Sequence, residues 1–330
     1  MSLTTNETPN TISAVIPAYN AEEYVGRAIE SVLQQTRPAE EVIVVDDGST
    51  DRTAAVVAGF GPKVRLIVQS KAGASGARNA GIKAAQSEWI AFLDADDEWL
   101  PEKLKVQMAH LRRNSDLVWT HGDYFKSVSR EVPLQPARDM NRAEGILRGK
   151  EYFTSYFEGF LSGFYAWTGT VLARREALIK AGLFQMGQLR AQDTDMWFRI
   201  AYKWPPIGFI SQPLAVYHEQ IPQSITKTHR ESKIMGDLVE RHFELSRRFG
   251  KYEDFRPCGI MMLQTWMREL VEEERREEIL ELTDRFEELF SKRFIMEMRL
   301  RAQHPLIAPA CIGVVGILKK LRLISSEQRK

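Results

Sequence analysis

The chain has 330 residues, 44% of them hydrophobic, which is enough for a sizeable buried core. Lys and Arg number 45 against 44 Asp and Glu, and the formal net charge of +1 offers no global field for nucleic acid. The two cysteines, Cys258 and Cys311, lack the spacing of a disulfide framework or a structural zinc site. The polar start "MSLTTNETPN" does not resemble a secretory signal. A globular cytoplasmic protein is therefore expected.

The first hundred residues alternate between two patterns. Four short runs are apolar and rich in β-branched residues, which is typical of strands buried on both faces of a parallel sheet. Segments with helical spacing separate them, so the pattern predicts a doubly wound β-α-β-α-β-α-β half-domain. The four runs are residues 12–17, 41–47, 64–69 and 89–94.

Polar and glycine-rich residues follow each predicted strand. These segments are "PAYN", "DDGSTD", "QSKAGASGARN" and "DADDEW". Ligands of doubly wound sheets bind beyond the carboxyl ends of the strands, so the four segments are expected to line one site.

The last of these segments holds four carboxylates within five positions, Asp94, Asp96, Asp97 and Glu98. Such close carboxylates repel one another, and a divalent cation offsets that repulsion. Mg²⁺ and Mn²⁺ prefer carboxylate oxygens and usually keep positions open for substrate phosphates. An Asp-x-Asp pair alone is a weak signal, because solvated loops often contain one by chance.

The four motifs, in this order and at these strand ends, resemble glycosyltransferase family 2, the inverting transferases of the GT-A fold that use sugar nucleotides. The resemblance covers residues 12–104 closely and continues loosely to about residue 226. It implies an α/β domain with a doubly wound, mostly parallel sheet flanked by helices. The implied reaction moves a sugar from a nucleoside-diphosphate sugar, with a UDP-sugar favoured, to a saccharide or lipid-linked acceptor. Surface polysaccharide or glycolipid assembly is the implied setting.

The resemblance assigns roles to residues of all four motifs. Asp47 would hydrogen-bond the base, Arg78 would contact the donor, and Asp96 would bind the Mg²⁺ or Mn²⁺ ion. Two structural alternatives stay open: "DDGSTD" as a turn that caps a helix, and "GASGARN" as a small-residue packing loop. Asp97 and Glu98 receive no role. The remaining implied donor-site residues are Ala18, Tyr19, Gly73, Asp94 and Ala95.

A catalytic base is expected in the second half, because the acceptor hydroxyl must lose its proton. Family members carry Glu-Asp before an amphipathic helix, and here "AQDTDMWFRI" places Gln192 at the glutamate position and Asp193 at that of the base. The alternative makes Asp193 a helix N-cap. His218, at the end of the predicted strand "LAVYH", would complete the metal shell as in some relatives, although a lone histidine is more often structural.

Residues 12–115 are expected to bind the nucleotide-sugar and residues 116–229 the acceptor, with a flexible N-terminus at 1–11. Among the aromatic residues at 160–167, Trp167 is the expected acceptor contact, and most of them are expected in the core. Residues 230–330 read as a helical C-terminal region. Its apolar stretch, 305–318, would span about 21 Å as a helix, against about 30 Å of hydrocarbon. With its basic flank it suits a peripheral position on the inner face of the membrane, a buried helix or a homodimer interface.

The sequence has features that argue against three other functions. A sugar-phosphate nucleotidyltransferase would carry a glycine-rich phosphate loop with a basic residue after the first strand, whereas the chain has "PAYNAEEYVG". A non-catalytic sugar-nucleotide-binding protein has no need of both Asp96 and Asp193. A dehydrogenase would show G-x-G-x-x-G at the first helix, and the chain does not.

Overall fold

The computed structural model describes residues 10–128, 132–138, 140–219 and 232–303. The chain divides into two compact units, Met1–His229 and Arg230–Lys330. Cys311, the apolar stretch 305–318 and nearly all of the predicted flexible N-terminus lie outside the described residues.

The four predicted strands form one half of the sheet in the first unit, paired in parallel in the order β3-β2-β1-β4. They are β1 (Ile12–Ala18), β2 (Glu41–Asp46), β3 (Arg65–Val68) and β4 (Trp89–Phe92). β1 and β4 are buried along their full length, as their continuous apolar runs require. The helices between the strands are α1 (Val25–Leu33), α2 (Thr53–Ala58) and α3 (Gly73–Ala84).

Six further strands extend the sheet, which continues from β4 in the order β9-β6-β10-β5. They are β5 (Glu98–Trp99), β6 (Trp119–Ser127), β7 (Gln135–Pro136), β8 (Tyr152–Phe153), β9 (Leu172–Arg174) and β10 (Ile207–His218). β9 is antiparallel to both β4 and β6, so β6 runs in the same direction as β4. β10 is parallel to β6. The carboxyl ends of β1, β2, β4, β6 and β10 therefore share one edge.

Two local differences from the sequence-based prediction have physical reasons. Pro133 and Pro136 make residues 132–144 look like a loop in the sequence, but Gln135–Pro136 pairs with β6 and a helix begins at Met140. Proline is compatible with such a short edge strand. β10 begins at Ile207, before the predicted strand "LAVYH". The earlier part is not recognisable as a strand in the sequence, because register shifts around Pro213 interrupt the side-chain alternation. The helices here are α4 (Lys103–Arg113), α5 (Met140–Leu147), α6 (Tyr156–Leu161), α7 (Arg175–Lys180) and α8 (Gln192–Lys203).

The described part of the second unit, residues 232–303, is helical, as its periodic charged sequence predicts. Its helices are α9 (Ser232–Arg248), α10 (Tyr252–Glu272), α11 (Arg276–Arg285) and α12 (Lys292–Gln303). Phe255, Leu263 and Leu282 are fully buried between them, and Arg285 forms ion pairs with carboxylates of α9. Among the helices that the structure describes, none is both long and apolar enough to cross a membrane.

Candidate active site

The candidate site lies at the carboxyl edge of the sheet. β1 ends at Ala18, β2 at Asp46 and β4 at Phe92, directly before the acidic segment. β5 begins at Glu98 and pairs antiparallel with the end of β10. Chain topology thus brings three of the sequence motifs and His218 to one rim, and the fourth motif, 69–79, follows β3 beside them.

Asp47 organises the loop between β3 and α3. Its carboxylate is 3% exposed and accepts hydrogen bonds from the Gln69 side chain at 2.7 Å and from the main-chain N–H groups of Ala72 and Gly73 at 2.8 and 2.7 Å. Gly73 has φ +79°, a conformation that glycine adopts at little cost. Asp47 therefore fixes the approach of this loop to the rim, and its contact with a base stays a prediction.

Tyr19 stands beyond the end of β1 and is 42% exposed. The Lys71 ammonium nitrogen lies 3.9 Å from the centre of its ring, in a cation–π arrangement. Ala18, next in the chain, is buried. An exposed aromatic face and a lysine are thus available at the edge where the resemblance places the nucleotide.

Arg78 is paired with one acidic group of the site and affects the pKa of a second. Its Nη2 is 2.5 Å from Asp94 Oδ1, and the arginine side chain is 8% exposed. Burial raises the pKa of Asp193, the charge of Arg78 lowers it, and the charge of Asp94 raises it again. Asp193 is therefore close enough to both residues to be affected by their charges, although they are distant from it in sequence.

Asp193 occupies the first turn of α8 and is not its N-cap. Ala191, with φ 55°, is the cap residue, and the helix begins at Gln192. Asp193 Oδ1 accepts a hydrogen bond from the N–H of Thr194 at 2.7 Å. Asp195 is buried and paired with Arg199 one turn later. The N-cap alternative is thus wrong, and the role of Asp193 as the base stays a prediction.

Asp96 is in an environment that disfavours an isolated negative charge. Burial and the neighbouring charge of Asp94 raise its pKa to about 6. The charges of His218 and Arg27 act in the opposite direction. Ala95, between the two aspartates, is 8% exposed, and its small side chain packs into the core. A cation beside Asp96 would relieve this electrostatic cost.

Asp97 and Glu98, which the sequence left without a role, both contact His218. Asp97 is fully buried, and its Oδ1 accepts the main-chain N–H of His218 at 3.0 Å. Burial raises the pKa of Asp97 well above its ordinary value, and the charges of Asp96 and Asp94 add to the shift. Glu98 Oε1 lies 2.8 Å from His218 Nε2. This hydrogen bond lowers the pKa of Glu98, with burial acting against it and the charge of Arg27 in support.

The residues present fit a divalent cation that also binds substrate phosphate. Among the described residues, no three His, Cys, Asp or Glu side chains are grouped so that they could hold an ion by themselves. Asp96 is a candidate oxygen ligand and His218 a candidate nitrogen ligand. Mg²⁺ sites of this kind use one or two protein ligands and take the rest from water and phosphates.

Two residues that the sequence reasoning missed also shape the site. Asn79 is buried and bonds both main-chain groups of Phe184, which precedes α8. Arg27 on α1 donates from Nη2 to the carbonyl of Asp96 at 2.9 Å. The only sequence signal for Asn79 is its place directly after Arg78 in "GARN", and Arg27 carries none.

The aromatic residues divide as follows. Phe160 and Phe164 are buried, in line with the expectation that most of these aromatic residues belong to the core, whereas Tyr165 is 49% exposed. Trp167 is half-buried, with its ring centre 4.5 Å from that of Tyr124 and 5.4 Å from that of Tyr217. Since Tyr217 precedes His218, this aromatic cluster adjoins the acidic rim, and an acceptor contact by Trp167 stays a prediction.

A family model described as "Glycosyl transferase family 2" matches residues 13–182, just over half of the chain. The chain belongs to glycosyl transferase family 2. TuaG of Bacillus subtilis, a putative teichuronic acid biosynthesis glycosyltransferase, is 36% identical over 241 residues, which cover 70% of this chain and 90% of TuaG. AmsB of Erwinia amylovora, an amylovoran biosynthesis glycosyltransferase, is 31% identical over 62% of this chain and 69% of its own length. The chain is therefore a glycosyltransferase with relatives in polysaccharide biosynthesis.

A third relative matches over a shorter region. WfgD of Escherichia coli, named a UDP-Glc:alpha-D-GlcNAc-diphosphoundecaprenol beta-1,3-glucosyltransferase, is 39% identical over 115 residues, and the match spans 34% of this chain and 45% of WfgD. The solved structure of S. aureus TarS residues 1–349 in complex with UDP-GlcNAc superposes with a TM-score of 0.61. The identity there is 18%, over 89% of this chain and 92% of that one. The GT-A fold predicted from the sequence is confirmed.

Proposed function

We propose that this glycosyltransferase moves a sugar, with inversion, from a UDP-sugar to a hydroxyl of a saccharide or lipid-linked acceptor, and that it requires Mg²⁺ or Mn²⁺. The reaction would serve the assembly of a surface polysaccharide or glycolipid at the inner face of the cytoplasmic membrane.

The observation that carries this proposal is the ion pair of Arg78 with Asp94, together with the effect of both charges on Asp193. The guanidinium of Arg78 is paired with Asp94 at the donor rim. Its charge also lowers the pKa of Asp193, which burial raises. A carboxylate whose pKa is raised by burial, with a nearby positive charge that limits the rise, is suited to act as the general base for sugar transfer.

In the proposed reaction, Asp193 takes the proton of the acceptor hydroxyl as that oxygen bonds to the anomeric carbon. The bond between the anomeric carbon and the diphosphate oxygen breaks on the opposite side, and the nucleoside diphosphate leaves with the electron pair. Attack and departure on opposite faces invert the anomeric centre. Arg78 contributes by keeping Asp193 ionised and Asp94 fixed at the rim.

The cation would be held by Asp96 and His218. When bound, it supplies positive charge that offsets the negative charge developing on the leaving diphosphate. Asp47 holds the 69–73 loop against the rim, and Tyr19 offers its exposed ring to the base.

The names of similar proteins support the choice of substrates. TarS was crystallised with UDP-GlcNAc and with UDP, which supports a uridine donor here. The name of WfgD gives UDP-glucose as donor and a sugar on a diphosphate-linked lipid as acceptor. TuaG and AmsB are named for teichuronic acid and amylovoran biosynthesis. A saccharide or lipid-linked acceptor is consistent with the names of WfgD, TuaG and AmsB.

Thermal unfolding with a panel of UDP-, GDP- and TDP-sugars, each with and without Mn²⁺, tests the proposed donor and cation. A bound donor raises the unfolding temperature by mass action, and we expect the largest rise with a UDP-sugar plus Mn²⁺. Asp96→Asn should lose the Mn²⁺-dependent part of the rise, whereas Asp116→Asn, an exposed aspartate, should keep it. An equal rise without Mn²⁺, or none with any UDP-sugar, would contradict the proposal.

A further inference from the structure

Glu98 contacts two side chains at the rim, those of His218 and Arg27. Its Oε1 lies 2.8 Å from His218 Nε2 and 3.1 Å from Arg27 Nε. Arg27 also donates from Nη2 to the main-chain carbonyl of Asp96 at 2.9 Å. Arg27, Glu98 and His218 thus form a chain of contacts that ends on the residue proposed to bind the cation.

The main chain of His218 is fixed by the same short segment. Asp97 Oδ1 accepts the N–H of His218 at 3.0 Å, and Val216 pairs with Glu98 across the β5–β10 ladder. The histidine side chain is 13% exposed, so its ring has little freedom to rotate into solvent. His218 and Asp96 are therefore held in one small hydrogen-bonded assembly, although more than a hundred residues separate them in the sequence.

The contact with Glu98 determines which ring nitrogen is available. An ionised carboxylate can only accept hydrogen bonds, so in the neutral imidazole Nε2 carries the hydrogen. Nδ1 then keeps its lone pair, and it is the only ring nitrogen that can bind a cation. Metal-bound histidines commonly donate their other ring N–H to a carboxylate, which fixes the ring and raises its basicity.

We propose that Glu98 is a positioning residue, which holds His218 in the Nε2–H form so that Nδ1 can bind the divalent cation together with Asp96. This inference rests on the cation requirement of the proposed function. Arg27 supports the arrangement by holding Glu98 on one side and the Asp96 carbonyl on the other. Glu98 itself does not touch the cation or the substrate.

The tautomer is tested directly on the metal-free protein. With ¹⁵N-labelled histidine, long-range ¹H–¹⁵N spectra separate the Nε2–H from the Nδ1–H form, and His218→Gln identifies the signals of His218. We expect the Nε2–H form in the wild type and a mixture in Glu98→Ala. A wild-type Nδ1–H form overturns the inference whatever the variants do.

Cation binding is tested by the paramagnetic resonance signal of free Mn²⁺ in the presence of saturating UDP. Glu98→Ala should weaken Mn²⁺ binding by about 10- to 100-fold. Glu98→Gln should restore most of it, because an amide oxygen still accepts the Nε2–H hydrogen bond. Glu102→Ala is the matched control, because Glu102 lies four positions further along the chain and forms an ion pair with Lys105. This substitution should leave Mn²⁺ binding unchanged.

The outcomes separate this inference from the proposed function. If the wild type binds Mn²⁺ and Glu98→Ala binds it equally well, the positioning role is wrong and the cation requirement stands. If the wild type does not bind Mn²⁺ in the presence of UDP, both fail. UDP binding in EDTA, with a thermal unfolding curve for each variant, shows that a loss of Mn²⁺ affinity is not a loss of folded protein.

Discussion

Asn79 and Phe184 are joined by two hydrogen bonds, from Asn79 Nδ2 to the carbonyl of Phe184 and from the N–H of Phe184 to Asn79 Oδ1, both 2.8 Å long. The side-chain amide of Asn79 thus bonds the main chain of Phe184 in the way that a neighbouring strand would. Asn79 lies on α3, directly after Arg78, and Phe184 lies in the segment that leads to Asp193. The pair therefore ties the donor side of the site to the helix that carries the proposed base.

Asn79→Ala should lower both stability and turnover. It leaves the buried N–H and carbonyl of Phe184 without partners, and we expect a loss of about 2 kcal/mol in the free energy of unfolding. Urea denaturation measures this loss, and turnover should fall more than the apparent affinity for donor. Lys83→Ala, at an exposed position on the same helix, is the control and should change neither quantity. Unchanged stability in Asn79→Ala would show that these bonds contribute nothing net.

The pH dependence of turnover should reflect Asp193. Burial raises the pKa of this carboxyl, and the charge of Arg78 limits the rise. A general base works only when ionised, so turnover should fall as the pH drops through this raised pKa, at a higher pH than an ordinary aspartate would give. Asp193→Asn should lower turnover by about 10²- to 10⁴-fold.

Arg78→Met tests this assignment through the direction in which the pH profile of turnover moves. Removal of the positive charge should move the acidic limb of the turnover profile to higher pH, because Asp193 loses the charge that favours its ionised form. The profile is measured at saturating donor and acceptor. A limb that stays in place, or moves to lower pH, would mean that Asp193 is not the group that titrates.

The sequence locates the first four strands and their ends for a physical reason. Strands buried on both faces appear as continuous apolar runs, so their ends, and with them Asp47 and Asp94, can be located without a structure. The contacts that complete the site are not local. Asn79 meets Phe184 across 105 positions and Asp97 meets His218 across 121, and no periodicity records such pairs.

The second half was harder to predict because its strands are irregular. Register shifts near Pro213 break the alternation of β10, and β5 and β7 are only two residues long. Two-residue strands exist because of their neighbours and have no pattern of their own. Glu98 therefore receives no role from the sequence, whereas in the structure it pairs with Val216 and contacts His218.

Lys103 should make stability depend on pH. It is fully buried, its Nζ donates to Gln107 Oε1 at 2.7 Å, and burial lowers its pKa well below the ordinary value. Between the lowered pKa of the folded state and that of the unfolded state, unfolding takes up a proton. Stability therefore rises with pH across this window, by up to about 1.4 kcal/mol per unit.

Lys103→Met should remove this slope, which urea denaturation from pH 7 to pH 9 measures. Lys105→Met, at an exposed position on the same helix, is the control and should keep the wild-type slope. Cys258, whose pKa burial raises, contributes a slope of opposite sign in all three proteins. The difference between Lys103→Met and wild type therefore isolates Lys103, and equal slopes would mean that this amine stays charged in the fold.

Arg138 and Asp123 form a buried ion pair, and we expect substitutions of the two residues to have unequal effects on stability. The Arg138 side chain is 7% exposed and Asp123 is fully buried, with Nη1 3.5 Å from Oδ1. Arg138 also donates to the carbonyls of Gly122, Gly163 and Tyr165, which connects β6 to the segment before Trp167. Asp123 therefore lies buried with Arg138 as its nearby positive charge.

Arg138→Met should therefore cost about 3 kcal/mol of unfolding free energy, since it leaves Asp123 buried without a counter-charge and removes hydrogen bonds to three carbonyls. Asp123→Asn should cost much less, because Arg138 keeps its carbonyl partners and no buried negative charge remains. In the double variant the cost should be smaller than the sum of the two single costs, because Arg138→Met then no longer strands a charge. Urea denaturation of the four proteins measures this, and additive costs would show that the ion pair contributes nothing beyond the carbonyl contacts of Arg138.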